Sequence, residues 1–355
     1  ILEQAVKDRA TDVHIEPFED ELRIRYRIDG ILYNASIPPT IKYLHAPIVS
    51  RVKIMSSLNI AEKRLPQDGR IKIKTAGQDL DLRVSTIPTS YGESVHIRIL
   101  STNILMGLEA LGLSKSDLNI MEDVIKKPHG IIFVTGPTGS GKTTTLYACL
   151  NKINTSKQNI ITIEDPVEYQ MRGITQIQVH PKIGLGFADG LRYILRHDPD
   201  IIMVGEVRDL ETAEIAIRVA LTGHLVFSTL HTNDAPGAPT RLLDMGIEPY
   251  LVSSSVECVL AQRLVRLICS DCKRQVKLDN KTLKELGIKP ETAQKFYEGK
   301  GCPACRFTGF KGRIAIFEIM LMNDEIRDLV MRRVSTDRIR QKAKSSGMRL
   351  SLIHI

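Results

Sequence analysis

The chain has 355 residues, 25% of them charged, a formal net charge of +8 and no tryptophan. That length exceeds what one hydrophobic core ordinarily serves and predicts two to three domains, while the balance of charged and apolar residues excludes a disordered or low-complexity chain. No apolar run approaches the roughly 18 to 20 uncharged residues of a membrane-spanning helix, the first residues lack the order of an export signal, and the basic residues are scattered among acids.

In chain order, residues 1 to 9 read as a helix, and Glu21 to Ile28 alternate charged and apolar side chains as a half-buried strand does. Asp29-Gly30 then reads as a hairpin turn into Ile31-Leu32-Tyr33. Arg70 to Lys74 and Leu80 to Val84 form two more alternating strands around Ala76-Gly77-Gln78, and Val95 to Leu100 follows a Tyr91-Gly92 turn. These segments predict a small antiparallel sheet with helices, linked through Ser101 to Gly107 to the next unit. From Leu108 to Ile268 the pattern changes to apolar runs at 131–135, 160–163, 201–204 and 225–229, separated by helical stretches. Such runs imply a parallel sheet covered on both faces, an α/β architecture. Beyond Cys269 a loop-rich, cysteine-bearing section leads to a helical tail from Asn323 to Ser346.

The strongest motif is Gly136-Pro137-Thr138-Gly139-Ser140-Gly141-Lys142-Thr143, a phosphate-binding loop placed between an apolar strand and a helix that opens with Thr144. Its glycines let successive N–H groups turn toward the phosphates, where the helix N-terminus adds its positive end. Lys142 is expected between the outer phosphates and Thr143 on Mg²⁺. Asn151-Lys152-Ile153-Asn154 lacks the Asp of a guanine reader and lies too close to the loop, so ATP is the expected nucleotide.

Ligands of such sheets lie beyond the strand C-termini, which singles out Glu164 after the 160–163 run, Glu206 after 201–204 and His231 after 225–230. Glu164 is expected to orient or deprotonate the attacking water and Glu206 to attend Mg²⁺. His231, with His224 ahead of its strand, is expected near the terminal phosphate. Cys269, Cys272, Cys302 and Cys305 form two C-x-x-C pairs that fit a tetrahedral, structural Zn²⁺ site, with disulfides or redox pairs as the alternative. Cys149 and Cys258 read as buried residues in helical contexts.

The phosphate loop, TIEDPVE at 162–168, DPDIIMVGEVRD at 198–209, TGHLVFSTLHTNDA at 222–235 and the two cysteine pairs together resemble the secretion ATPase superfamily. More narrowly, they are similar to its type II secretion and type IV pilus assembly ATPases. The resemblance implies an N-terminal α/β, PAS-like domain at 1–106, a RecA-like ATPase core at 107–268, a tetracysteine zinc subdomain at 269–310 and a helical C-terminal subdomain at 311–355. It implies catalytic roles for Lys142, Glu164, Glu206 and His231, a histidine-box role for His224, and nucleotide-facing arginines at Arg70, Arg83 and Arg98. It further implies a homo-hexamer that hydrolyses ATP on the cytoplasmic face of a bacterial inner membrane, working on secretion or pilus platform proteins. Pilus retraction ATPases resemble the first two parts but lack the cysteine pairs. Longer members carry a further N-terminal docking domain, so a chain opening at Ile1 is expected to be a fragment, and its tail departs from the family pattern after Arg349. A nucleic-acid motor is the rival reading, disfavoured by sparse aromatics and scattered charge. A nonhydrolysing regulator is disfavoured by Lys142, Glu164 and Glu206.

Overall fold

The structure, a computed structural model, describes residues 1–75, 78–101, 106–285 and 295–349. It divides into two compact units, Ile1–Ile104 and Leu105–Ile355. Ala76-Gly77 of the expected turn, residues 102–105 of the expected linker and the tail after Arg349 lie outside the described residues.

In the first unit, helix α1 (Leu2–Lys7) precedes strands β1 (Asp12–Pro17), β2 (Leu22–Ile28) and β3 (Ile31–Asn34). Helix α2 (His45–Met55) then leads to β4 (Gln67–Thr75), β5 (Gln78–Thr89) and β6 (Gly92–Ser101). The strands form one sheet in the order β3-β2-β1-β6-β5-β4, antiparallel throughout, as expected. Alternation decides its faces: Leu22, Ile24 and Tyr26 are buried, whereas Arg23, Arg25 and Arg27 occupy the other face. The buried face packs Val13, Ile15, Leu82 and Ile97 with Val49 and Val52 of α2. Lys53 of α2 is 1% exposed, pairs with Glu93 and donates to the Glu62 carbonyl at 2.7 Å, so its buried charge is satisfied. Strand β1 and helix α2 were not read from the sequence; α2 carries Pro47 and a weak apolar stripe, which mask its helical period.

The second unit opens with α3 (Lys115–Val124), β7 (Gly130–Thr135), α4 (Lys142–Ile153), β8 (Ile160–Glu164) and β9 (Thr175–Gln178). It continues through α5 (Phe187–Ile194), β10 (Ile201–Val204), α6 (Leu210–Leu221), β11 (Leu225–Leu230), α7 (Gly237–Asp244) and α8 (Pro249–Ser255). The long β12 (Val256–Ile268) follows, then β13 (Lys273–Val276), α9 (Asn280–Glu285) and β14 (Phe296–Gly299). The last elements are β15 (Phe310–Leu321), α10 (Asp324–Met331) and α11 (Thr336–Ser345).

A seven-stranded sheet in the order β15-β12-β7-β11-β10-β8-β9 forms the centre, with every pairing parallel except β12 with β15. Every residue of β7 and β11 is buried because both faces are covered, which is why these strands read as unbroken apolar runs. Helices α3 and α4 pack on one face, and α5 to α8, α10 and α11 on the other.

Two expectations are corrected. Cys258 lies on strand β12 rather than in a helix, although it is fully buried like Cys149. Residues 310–321 form β15, so the helical part begins at Asp324, and the core sheet takes an edge strand from beyond the cysteine section. Within the cysteine section, α9 is the one α-helix among the described residues.

Candidate nucleotide site and metal centre

The phosphate loop joins β7 to α4. Gly136 has φ +144, and a Cβ there would overlap the Gln262 carbonyl oxygen and approach Ser140 Oγ at 2.8 Å. Only glycine lets the loop lie this close on β12. Gln262, 3% exposed, supports the loop a second time by accepting a 2.7 Å hydrogen bond from Thr145 in the first turn of α4. Lys142 Nζ donates to the carbonyls of Gly136 at 2.8 Å and Pro137 at 3.2 Å, which holds the ammonium over the loop. Burial lowers the Lys142 pKa, and the Glu206 carboxylate works against that, so the two charges share one electrostatic environment.

Glu206 follows β10 and pairs with Arg208 at 2.5 Å and with His231 Nε2 at 3.2 Å. His231 is placed by Thr135, the last residue of β7. The Thr135 hydroxyl lies 3.0 Å from the Leu230 carbonyl and 2.7 Å from the Thr232 hydroxyl, and it accepts from the Thr232 N–H at 2.8 Å. The strand that carries the phosphate loop thereby fixes the segment that carries the histidine. Lys142, Glu206 and His231 thus converge at the C-terminal ends of β7, β10 and β11, with Thr143 one residue into α4.

His224 and Glu164 are placed differently. His224 precedes β11, and its Nδ1 lies 3.1 Å from the Val219 carbonyl. The intervening strand separates it from His231 by roughly 20 Å at about 3.3 Å per residue. It lines a separate cleft of about 500 Å³ with Lys126, Lys127, Lys152 and Thr222. Glu164 ends β8 at 3% exposure, with its carboxylate turned to α4 and β9: it accepts from Tyr147 Oη, from Thr162 Oγ1 at 2.6 Å and from Gln176 Nε2 at 3.1 Å. Burial raises its pKa against these donors.

Arg70, Arg83 and Arg98 all lie in the first unit, directly opposite one another on β4, β5 and β6. Like charges so placed repel, and the sheet answers with acids: Asp81 accepts from Arg70 at 3.0 Å and Asp12 from Arg98 at 3.1 Å.

The four cysteines beyond β12 converge. Their Sγ atoms all lie within 4.8 Å of one another, with Cys269–Cys302 at 3.9 Å, Cys272–Cys305 at 3.8 Å and Cys302–Cys305 at 3.7 Å. Four thiolates about 2.3 Å from a tetrahedral Zn²⁺ stand about 3.8 Å apart, so the set fits the metal and is far too open for disulfides. Backbone N–H groups of Cys302 and Gly309 donate to Cys305 Sγ at 3.2 and 3.3 Å, the donors that suit a thiolate. Cys149 and Cys258, by contrast, are thiols pushed up to about 12 by burial, inert core residues.

The family described as type II/IV secretion system protein matches residues 1–353. The chain belongs to this family. Within it, the chain is 51% identical over 333 residues to type II secretion system protein E of Pectobacterium carotovorum subsp. carotovorum, covering 94% of this chain and 66% of that protein. It is 50% identical over 353 residues to the type IV pilus assembly ATPase PilB of Myxococcus xanthus, covering 98% of this chain and 62% of that protein. The chain therefore spans about two thirds of the length of the curated relatives it matches. Among solved structures, the pilus retraction motor PilT with bound ADP superposes with a TM-score of 0.65 at 26% identity, covering 99% of this chain and 90% of that one. Secretion ATPases and the RecA-like fold expected from the motifs are thus the setting in which the site belongs.

Sequence reasoning missed Tyr147, Gln176, Arg208 and Gln262. Gln262 carries a usable signal, a lone amide inside the apolar run Val259-Leu260-Ala261, where a buried polar group demands a partner.

Proposed function

We propose that this chain is the motor part of a hexameric, Mg²⁺-dependent ATPase that powers type II protein secretion from the cytoplasmic face of a bacterial inner membrane. The observation that carries this reading is the convergence of Lys142, Glu206 and His231 at one end of the parallel sheet, beside a phosphate loop. Family membership and secretion relatives about as similar as Pectobacterium protein E support it. Among the described residues no helix is long and apolar enough to cross a membrane, which suits a motor that works through partners.

The loop N–H groups and Lys142 would bind the β- and γ-phosphates of ATP, and Thr143 with Glu206 would hold Mg²⁺, which, when bound, neutralises charge on those phosphates. Glu206 follows β10 with Oε1 paired to Arg208 and Oε2 within hydrogen-bond reach of His231 Nε2, so its carboxylate is oriented before substrate arrives. His231, within hydrogen-bond reach of Glu206, would sense the terminal phosphate. The cysteine set would hold Zn²⁺ in a structural role, since four thiolates leave no open coordination position.

The test is steady-state ATP hydrolysis with Mg²⁺ across protein concentrations. The expected result is a rate per subunit that rises with concentration, falls to background in Lys142→Ala, and drops by about 10²–10³ in Glu206→Gln, the loss typical of one preorganised electrostatic group. A rate independent of both Lys142 and concentration would overturn the reading, and DNA stimulation would revive a nucleic-acid motor. Pilus assembly is the second reading, favoured by the 50% identity to PilB. In the source cell, the Glu206→Gln allele is expected to stop protein export under the first and piliation under the second.

A further inference from the structure

Glu164 stands where a base for the attacking water is expected, yet three protein donors already occupy most of the acceptor positions of its carboxylate. Oε1 accepts from Thr162 and Gln176 and Oε2 from Tyr147, and the side chain is buried. The donors tie three separate elements together. Tyr147 lies in the second turn of α4, the helix that grows out of the phosphate loop, and its ring meets Tyr169 edge-on at 4.6 Å. The Tyr147 hydroxyl also accepts from the Glu168 N–H at 3.3 Å. Gln176 on β9 donates to the Tyr169 carbonyl at 3.1 Å and accepts from the Met171 N–H at 2.7 Å. Residues 168–171 are thus tied to α4 and β9 through the same side chains that hold the carboxylate. Asp165, the next residue, is exposed, and its charge acts on Arg208, which in turn pairs with Glu206.

We propose that Glu164 is a positioning residue: gripped by Tyr147, Thr162 and Gln176, its ionised carboxylate locks residues 168–171 to the phosphate-loop helix. This rests on the hydrolytic reading given above. An ionised carboxylate accepts all three donors, whereas a protonated one must donate from one oxygen and loses part of the grip. Burial and the nearby Glu168 carboxylate raise the pKa of Glu164 and the donors oppose them, so removing the Tyr147 donor raises it further. The cost of removing Tyr147 Oη therefore grows as pH rises through the Glu164 titration and shrinks below it.

The experiment is a cycle of Glu164→Gln, Tyr147→Phe and the double variant, read by hydrolysis and by thermal unfolding from about pH 5 to pH 9. An amide keeps the shape and most of the hydrogen bonds, so Glu164→Gln is expected to retain kcat within about tenfold, against the 10²–10⁴ a lost general base costs. Tyr147→Phe is expected to move the acid limb of the kcat profile to higher pH and to lower the midpoint more at high pH than at low. Both effects should vanish in the Glu164→Gln background. A loss of about 10³ or more in Glu164→Gln with an unchanged midpoint overturns the proposal and makes Glu164 the base. A Tyr147→Phe penalty that is independent of pH, or that persists without the Glu164 carboxylate, also overturns it. If the unmodified protein hydrolyses no ATP, the functional reading fails alone, because the unfolding cycle still decides the tie.

Discussion

Asp12 shows how much one buried carboxylate organises in the first unit. It accepts from His96 Nε2 at 3.0 Å, Arg98 Nε at 3.1 Å and Thr11 Oγ1 at 2.8 Å, and lies 3.9 Å from Arg27. Burial pushes its pKa up, but the bonds from His96, Thr11 and Arg98 outweigh burial and hold it far below the usual carboxylate range. With the folded value depressed, the stabilisation is fully present above the unfolded value near about pH 4 and is lost as pH falls through the folded value. Asp12→Asn should therefore weaken the first unit by about 1–3 kcal/mol at neutral pH, the worth of hydrogen bonds to one buried charged acceptor. Urea melts should show the gap between the two proteins narrowing only below about pH 4. A gap constant down to pH 2 would mean that the charge of Asp12 contributes nothing to stability.

Among the elements, the cysteine section has the tightest backbone packing. A Cβ on Gly309, at φ +78, would overlap the Gly299 carbonyl and come within 3.2 Å of its Cα, backbone against backbone. The Gly309 N–H also donates to Cys305 Sγ, and its carbonyl accepts from the Cys269 N–H at 2.9 Å. Gly309→Ala is expected to spread the two cysteine pairs and to drop zinc content by mass spectrometry from about one ion per chain to a small fraction. Retention of a full ion would show that the cysteine section tolerates the shift. The cysteine pairs, the phosphate loop and the unbroken apolar strands were all legible in the sequence, because each is a local spacing with one physical meaning. The direction of the Glu164 side chain was not. A strand-end carboxylate points to one face or the other by the pleat, and the partners that hold it, Tyr147 and Gln176, come from elements 17 and 12 residues away. His224 and His231, seven residues apart, lie at opposite ends of β11, as their places before and after the apolar run imply. Strand β15 was hidden because alternation in Lys311 to Ile316 is interrupted by Gly312 and abuts the helical tail.

For the molecule as a whole, two sheets of different character set what loss of metal can do. The seven-stranded sheet keeps its covered faces without the cysteines, since its buried clusters draw on β7, β8, β10 and β11. Among its described residues the cysteine section has as its own sheet only a two-stranded ribbon, β13 with β14, and such ribbons are marginal alone. Chelation is therefore expected to expose residues 269–310 to limited proteolysis first while a fragment spanning 106–268 resists. Simultaneous loss of both would mean that the metal holds the core as well.

Strand β12 makes these two regions mechanically one. Its inner half lies beside β7 with Gln262 under the phosphate loop, and its outer half runs on beside β15 to Cys269, the first of the four clustered cysteines. Seven residues of strand place the metal tip roughly 23 Å from the loop at about 3.3 Å per residue. The strand is a cantilever rooted in the nucleotide floor. A tilt of about five degrees at Gln262 would carry the Cys269 end, together with its β15 partner, by roughly 2 Å over that span, a displacement the size of an atom.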